Sequence, residues 1–274
     1  MRWSHVRAIA GADLRRLFKS KDYWIPLLIM ASLFFVVIPF IMLTVISQLE
    51  GTPFVDQVTS VVGNLPAQVN AVAQGDTPVA RASYIAAVFL LAPIAIIVPV
   101  TISAAVGSNA IVGERERGTG EFLAHSPVTM RELYLGKLIS SLVPGFLALV
   151  VGFSAYALIV NLTVGPDLGG WFFPTIGWVV LILWVIPPFI AVALTVILRI
   201  SARVRSAASA QQASSLVTLP VIMLSYAVSV SVVVSPGRTS FLIGAISWIV
   251  AILLSARGAK KLRRERLLGV ASET

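Results

Sequence analysis

The chain contains no cysteine. Disulfides and cysteine-ligated metals are therefore excluded, although the compartment stays open. Charge is scarce as well: 12% of the 274 residues are charged, where a soluble domain carries about 25%. The two histidines, His5 and His125, lie outside the apolar segments, which leaves no pair for haem ligation within a bundle. There is no His-Glu-x-x-His zinc motif, no Gly-x-Ser-x-Gly nucleophile elbow and no intramembrane pair of aspartates. A Gly-x4-Gly-Lys-Ser/Thr phosphate loop is also missing: Gly136-Lys137 is followed by Leu138 and lacks the upstream glycine. The chain has no means of binding ATP by that device. No catalytic constellation, low-complexity tract or sequence repeat stands out.

What is present is apolar. Hydrophobic residues make up 57% of the chain, and the mean hydropathy is +0.92. Six hydrophobic segments occupy residues 24–47, 82–112, 138–162, 172–198, 208–234 and 240–256. A spanning helix needs about 20 such residues, and the last segment is near the lower limit. In lipid the backbone must satisfy itself, so these segments predict helices rather than strands. The first is too long, and its leader too extended, for a cleaved signal peptide; it reads as an anchor. The expected organisation is an all-α integral membrane protein: residues 1–23 as a cytoplasmic amphipathic helix, 24–256 as a six-span domain and 257–274 as a basic cytoplasmic tail.

The formal charge of +9 is arranged for a membrane, not for nucleic acid. Nineteen of the 21 Lys and Arg residues lie in the two tails and the connections at 113–137 and 199–207; Arg81 and Arg238 are the other two. The positive-inside rule places both termini in the cytoplasm. Glu50, Asp56, Asp76 and Asp167 fall outside. In the N-terminal tail Val6, Ile9, Ala10, Leu14, Leu17 and Phe18 recur at helical spacing, with Arg7, Arg15, Arg16 and Lys19 on the remaining surface. That pattern suits a helix lying on the inner membrane face.

By this assignment the spans hold no acid, and no Lys or Arg near a bilayer centre, which counts against a proton-coupled transporter. Their polar residues include Thr101, Ser103 and Asn109 in the second and Ser214, Ser215, Thr218 and Ser225 in the fifth. Such groups join helices to each other or line a path. Most prolines read as static kinks; Pro220, midway along the fifth segment, is the better hinge candidate. The run beyond it to Ser235-Pro236-Gly237 is long enough to contain a helix turning back near the outer surface. The 48–80 loop, with three prolines and three glycines, has room for short helices and no assigned function.

Charge gathers in one connection, GERERGTGEFLAHSPVTMREL, residues 113–133. Gly118 can take the left-handed conformation that ends a helix. Thr119 can cap a short helix carrying Glu121, Phe122 and Leu123, which Pro127 stops. Thr129 and Glu132 have capping-box spacing and predict the start of the third span. Phe122 and Leu123 then stand on an elbow whose Glu114, Arg115, Glu116 and Arg117 alternate in sign. An apolar knob with a charged rim fits a docking element; an ordinary turn dipping into lipid fits equally. His125 reads as a surface or interface residue.

GERERGTGEFLAHSPVTMRELYLGKL resembles the signature of permease subunits of ABC transporters of the ABC-2 type, through Glu114, Glu116, Gly118, Thr119, Glu121, Leu123, Pro127, Arg131, Glu132, Leu133, Leu135, Gly136 and Lys137. Gly120 departs from the apolar residue usual in that family. SARVRSAASAQQASSLVTLP, entering the fifth span, is similar more weakly. The resemblance implies a dimer of permeases, identical or not, in the cytoplasmic membrane of a prokaryote, with two separate ATP-binding subunits docked beneath. It also implies ATP and magnesium on those partners and none on this chain. The short helix would be a coupling helix, and Glu114, Glu116, Arg117, Gly118, Thr119, Glu121, Phe122, Leu123, His125 and Pro127 its ATPase interface. The cargo expected from so few pathway charges is apolar or amphipathic, and export the expected direction. The alternative is an ATP-independent channel or membrane scaffold, with the same topology and no coupling helix.

Overall fold

The computed structural model describes residues 1–48, 53, 60, 67–204, 206–235 and 237–261. Residues 49–52, 54–59 and 61–66 of the 48–80 loop, Glu50 and Asp56 among them, and the tail from residue 262 lie outside the described residues, as do the side chains of Glu121 and Phe122. The described part of that loop holds one short helix, Ala67–Val72. No strand occurs among the described residues. Among the described residues, six helices are long and apolar enough to cross a membrane: Lys21–Gln48, Pro78–Glu116, Met130–Thr163, Ile176–Ser201, Ala207–Val234 and Arg238–Gly258. They are numbered as spans in that order. The second and fourth spans are the most enclosed, with 78% and 56% of their apolar windows buried, so they form the centre of the bundle. The others present leucines and valines outward, as helices solvated by lipid do.

Cap chemistry sets several boundaries. The second span starts at Pro78, earlier than residue 82, because Thr77 Oγ1 accepts from Ala80 N (3.1 Å) and Pro78 fits the first turn. Thr129 and Glu132 form the expected capping box at the head of the third span. Ser206 caps the fifth. The sixth helix runs Arg238–Lys261, longer than the hydropathy implied.

The prolines divide into two groups. Three π-helical stretches, Leu33–Val37, Ala86–Leu90 and Leu181–Val185, lie two or three residues before Pro39, Pro93 and Pro187. A proline withdraws a donor and crowds the preceding turn, and a widened turn relieves the crowding. Side chains take up part of the backbone's hydrogen-bonding capacity there. Trp178 Nε1 donates to the Val88 carbonyl (3.0 Å), and the Tyr156 hydroxyl donates to that of Ala87. Phe153 and Phe173 complete an aromatic cluster around Trp178. Pro220, by contrast, sits inside a helix that continues from Ala207 to Val234. The expected helix turning back after Pro220 is therefore absent: the fifth span remains a single helix to Val234, and Ser240 Oγ donates to the Val232 carbonyl (3.3 Å) near its end.

The amphipathic helix, Trp3–Lys19, buries Val6, Ala10 and Leu17. It seats on the head of the third span rather than lying free on a surface. Gly136 makes this possible: a Cβ there would meet Ile9 Cβ at 2.8 Å. A chain bend at the extended residue Ser20 then leads into the first span.

Candidate functional site

The charged connection folds as helix, break, short helix, break, helix. The second span pauses after Ser108, resumes as Val112–Glu116 and stops at Gly118, whose φ of +71° is the left-handed conformation expected there. The short helix is Gly120–His125. Thr119 does not cap it. Its hydroxyl turns back to Glu114, within reach of both the carbonyl (3.1 Å) and carboxylate Oε2. A charged acceptor next to a cation is a stronger partner than the neutral amide of a helix turn.

Glu114 is the centre of this arrangement. Its Oε1 accepts from Lys137 Nζ (2.7 Å) and Arg117 Nη2 (3.2 Å), with Arg16 Nη1 at 3.5 Å. Lys137 Nζ also lies 3.0 Å from Asp13 Oδ2, which accepts from Ser140 Oγ at 3.2 Å. The Glu114 and Lys137 side chains are only 6% and 4% exposed. Burial of such charges is tolerable only with full pairing, and here each has more than one partner. One ammonium thus ties together the amphipathic helix, the elbow and the third span. Glu132 adds a second tie: its carboxylate accepts from the backbone N–H groups of Arg2 (2.5 Å) and Thr129 (3.0 Å), with His5 Nδ1 at 3.2 Å.

The elbow also grips the fifth span. Glu116 Oε1 accepts from Ala207 N (2.7 Å), at a helix N-terminus where negative charge is favoured. Arg115 donates to the Val204 carbonyl. Ser201 Oγ donates to the Ser108 carbonyl (2.6 Å) and accepts from Val112 N (3.2 Å), bridging the pause in the second span. Ser108 Oγ donates to Gln211 Oε1 (2.7 Å).

Each of the four alternating charges makes a hydrogen bond within the chain, with Glu114 buried and Glu116 and Arg117 exposed. Leu123 is half-buried and packs against the hydrophobic core, so it is not a free-standing knob. Glu116, Arg117, Gly118, His125 and Pro127 are exposed at the turn. Among the span residues singled out for a pathway, five bond to their own helix. Thr101, Asn109, Ser215, Thr218 and Ser225 donate to the carbonyls of Ile97, Ala105, Gln211, Ser214 and Ile222. Ser103 and Ser214 are buried with no hydrogen-bond partner for their hydroxyls among the described residues. Asn109 lines a polar cavity of about 240 Å³ beside Glu114 and Lys137. No cluster of His, Asp or Glu able to hold a metal occurs among the described residues.

Sequence reasoning missed Asp13, Ser140, Ser201 and Gln211. A signal existed for Asp13: it falls on the Val6, Ala10, Leu17 stripe at helical spacing, where an acid requires a buried partner.

The fold and this linked elbow define a polytopic, all-helical membrane protein. A family model described as ABC-2 family transporter protein matches residues 7–255, most of the chain. The protein belongs to the ABC-2 transporter family, and is a membrane transport protein of the permease type. Comparison with curated proteins finds no match.

Proposed function

We propose that the chain is the membrane-spanning subunit of an ATP-driven transporter, powered by separate ATP-binding subunits and exporting an apolar or amphipathic substrate. The observation that carries this reading is the linkage of the elbow. Glu114 and Lys137 join it to the amphipathic helix and the third span, and Glu116 joins it to the first amide of the fifth. An ATPase closing against the exposed turn at Gly118, His125 and Pro127 would displace a body linked to three other elements. That displacement would change access between the spans. The positive-inside rule sets the same end of the bundle in the cytoplasm, where ATP is found.

The test is purification of the chain from native membranes in mild detergent, followed by mass spectrometry. A stoichiometric partner with a phosphate loop and ATPase activity is the expected result. Leu123→Ala should then lower ATP-driven transport while the complex stays assembled. A chain that repeatedly purifies without such a partner would displace this reading in favour of a channel or scaffold.

A further inference from the structure

Two cavities adjoin at the bend between the amphipathic helix and the first span. The polar one is lined by Asp13, Arg16, Ser20, Tyr23, Arg117 and Lys137, among others. The second is an apolar groove of about 510 Å³ between the first and third spans, lined by Phe18, Trp24, Leu27, Leu28, Ala148 and Val151, among others. Both include Leu17. The groove opens sideways, since Leu28 is 56% and Val151 69% exposed. It exists because the first half of the first span, Lys21–Ser32, buries no residue of its own. Its size falls in the roughly 300–1,000 Å³ range of ligand sites.

The polar cavity has three cations, Arg16, Arg117 and Lys137, against two carboxylates, Asp13 and Glu114. Lys137 is occupied by both acids. Arg16 and Arg117 are 51% and 39% exposed and have donors to spare. Exposed Arg15, Lys19 and Lys21 surround the bend, with Asp22 the opposing charge. Tyr23 and Trp24 stand where aromatic side chains mark the membrane–water boundary. A pocket with an excess of cations, beside this aromatic pair, thus adjoins an apolar groove that opens at the side of the bundle. We infer that the paired cavity binds an anionic phospholipid, its headgroup at Arg16 and Arg117 and an acyl chain in the groove beside Trp24. The lipid fills the gap that the first span leaves and holds the amphipathic helix against it. This site does not depend on the ATP-driven reading.

The full protein is reconstituted in phosphatidylcholine bilayers containing either brominated phosphatidylglycerol or brominated phosphatidylcholine at equal mole fraction. Bromine quenches nearby indoles, and the difference between wild type and Trp24→Phe isolates Trp24. The expected result is a preference of about fivefold or more for phosphatidylglycerol, the effect of one cation near an anionic headgroup. It should fall to parity in the Arg16→Gln/Arg117→Gln variant and survive in Arg16→Lys/Arg117→Lys. Ala148→Phe fills the groove, leaves the charges in place, and should protect Trp24 from both lipids. Equal quenching by the two lipids in wild type would overturn the inference and leave a groove filled by bulk lipid. Equal quenching by the two lipids, together with binding of inorganic phosphate that Arg16→Gln/Arg117→Gln removes, would assign the pocket to a free anion and overturn it too.

Discussion

At Lys137 three elements converge on one ammonium group. Replacement by Met keeps the volume and leaves the Glu114 and Asp13 carboxylates without their shared cation. Truncating one member of a buried pair costs about 3–5 kcal/mol, mostly from the charge left behind. Lys137→Met should therefore lower the thermal midpoint in detergent sharply. Adding Glu114→Gln should recover part of the loss, because one stranded carboxylate is removed. Strict additivity of the two changes would argue against the pairing. Glu114, Arg117 and Lys137 stood out in the sequence, but Asp13 did not, and neither did the pairing among them. Lys137 and Asp13 are 124 positions apart, and no local periodicity reports a contact of that range. The hydroxyl of Thr119 misled for a related reason. Its spacing suits a cap, and a buried carboxylate proved the stronger acceptor.

At the scale of elements, the amphipathic helix was legible from its spacing, and so were the capping box of Thr129 and the break at Gly118. Each is encoded within a few residues. The seat of that helix was not legible, because it depends on a missing Cβ far along the chain. Gly136→Val should lift the helix from the third span. Hydrogen exchange across residues 3–19 should then quicken while exchange in the second and fourth spans stays slow. Unchanged protection of residues 3–19 would show that the helix is held by other contacts. The π-helical turns ahead of Pro39, Pro93 and Pro187 follow from the sequence only in hindsight. Pro220 also lies within a membrane-spanning helix and has no such turn before it.

For the whole molecule, six spans and a shared side for both ends of the domain follow from hydropathy and charge counts, since the bilayer acts on whole segments. The absence of cysteine makes the orientation directly measurable. A cysteine placed at His125 and one placed at Asp167 lie at opposite ends of the third span. In sealed cells a membrane-impermeant maleimide should label the second and reach the first only after permeabilisation. The reverse pattern would invert the topology and remove the proposed ATPase from its fuel. What the sequence could not supply was the distinction between polar groups bonded to their own helix, such as Thr218, and those with no partner among the described residues, such as Ser214. Hydropathy treats the two alike.

The dock of the amphipathic helix also bears on how the protein is made. Its Asp13 leaves the ribosome 124 residues ahead of Lys137. At 5–20 residues per second that is a delay of roughly 6–25 s. Throughout it the helix exists without its seat, its Val6–Ala10–Leu17 stripe uncovered. An amphipathic helix with an uncovered stripe binds a membrane surface, the apolar phase within reach, until its protein contact forms. The seat at Gly136 and Lys137 is complete only once the head of the third span has been made.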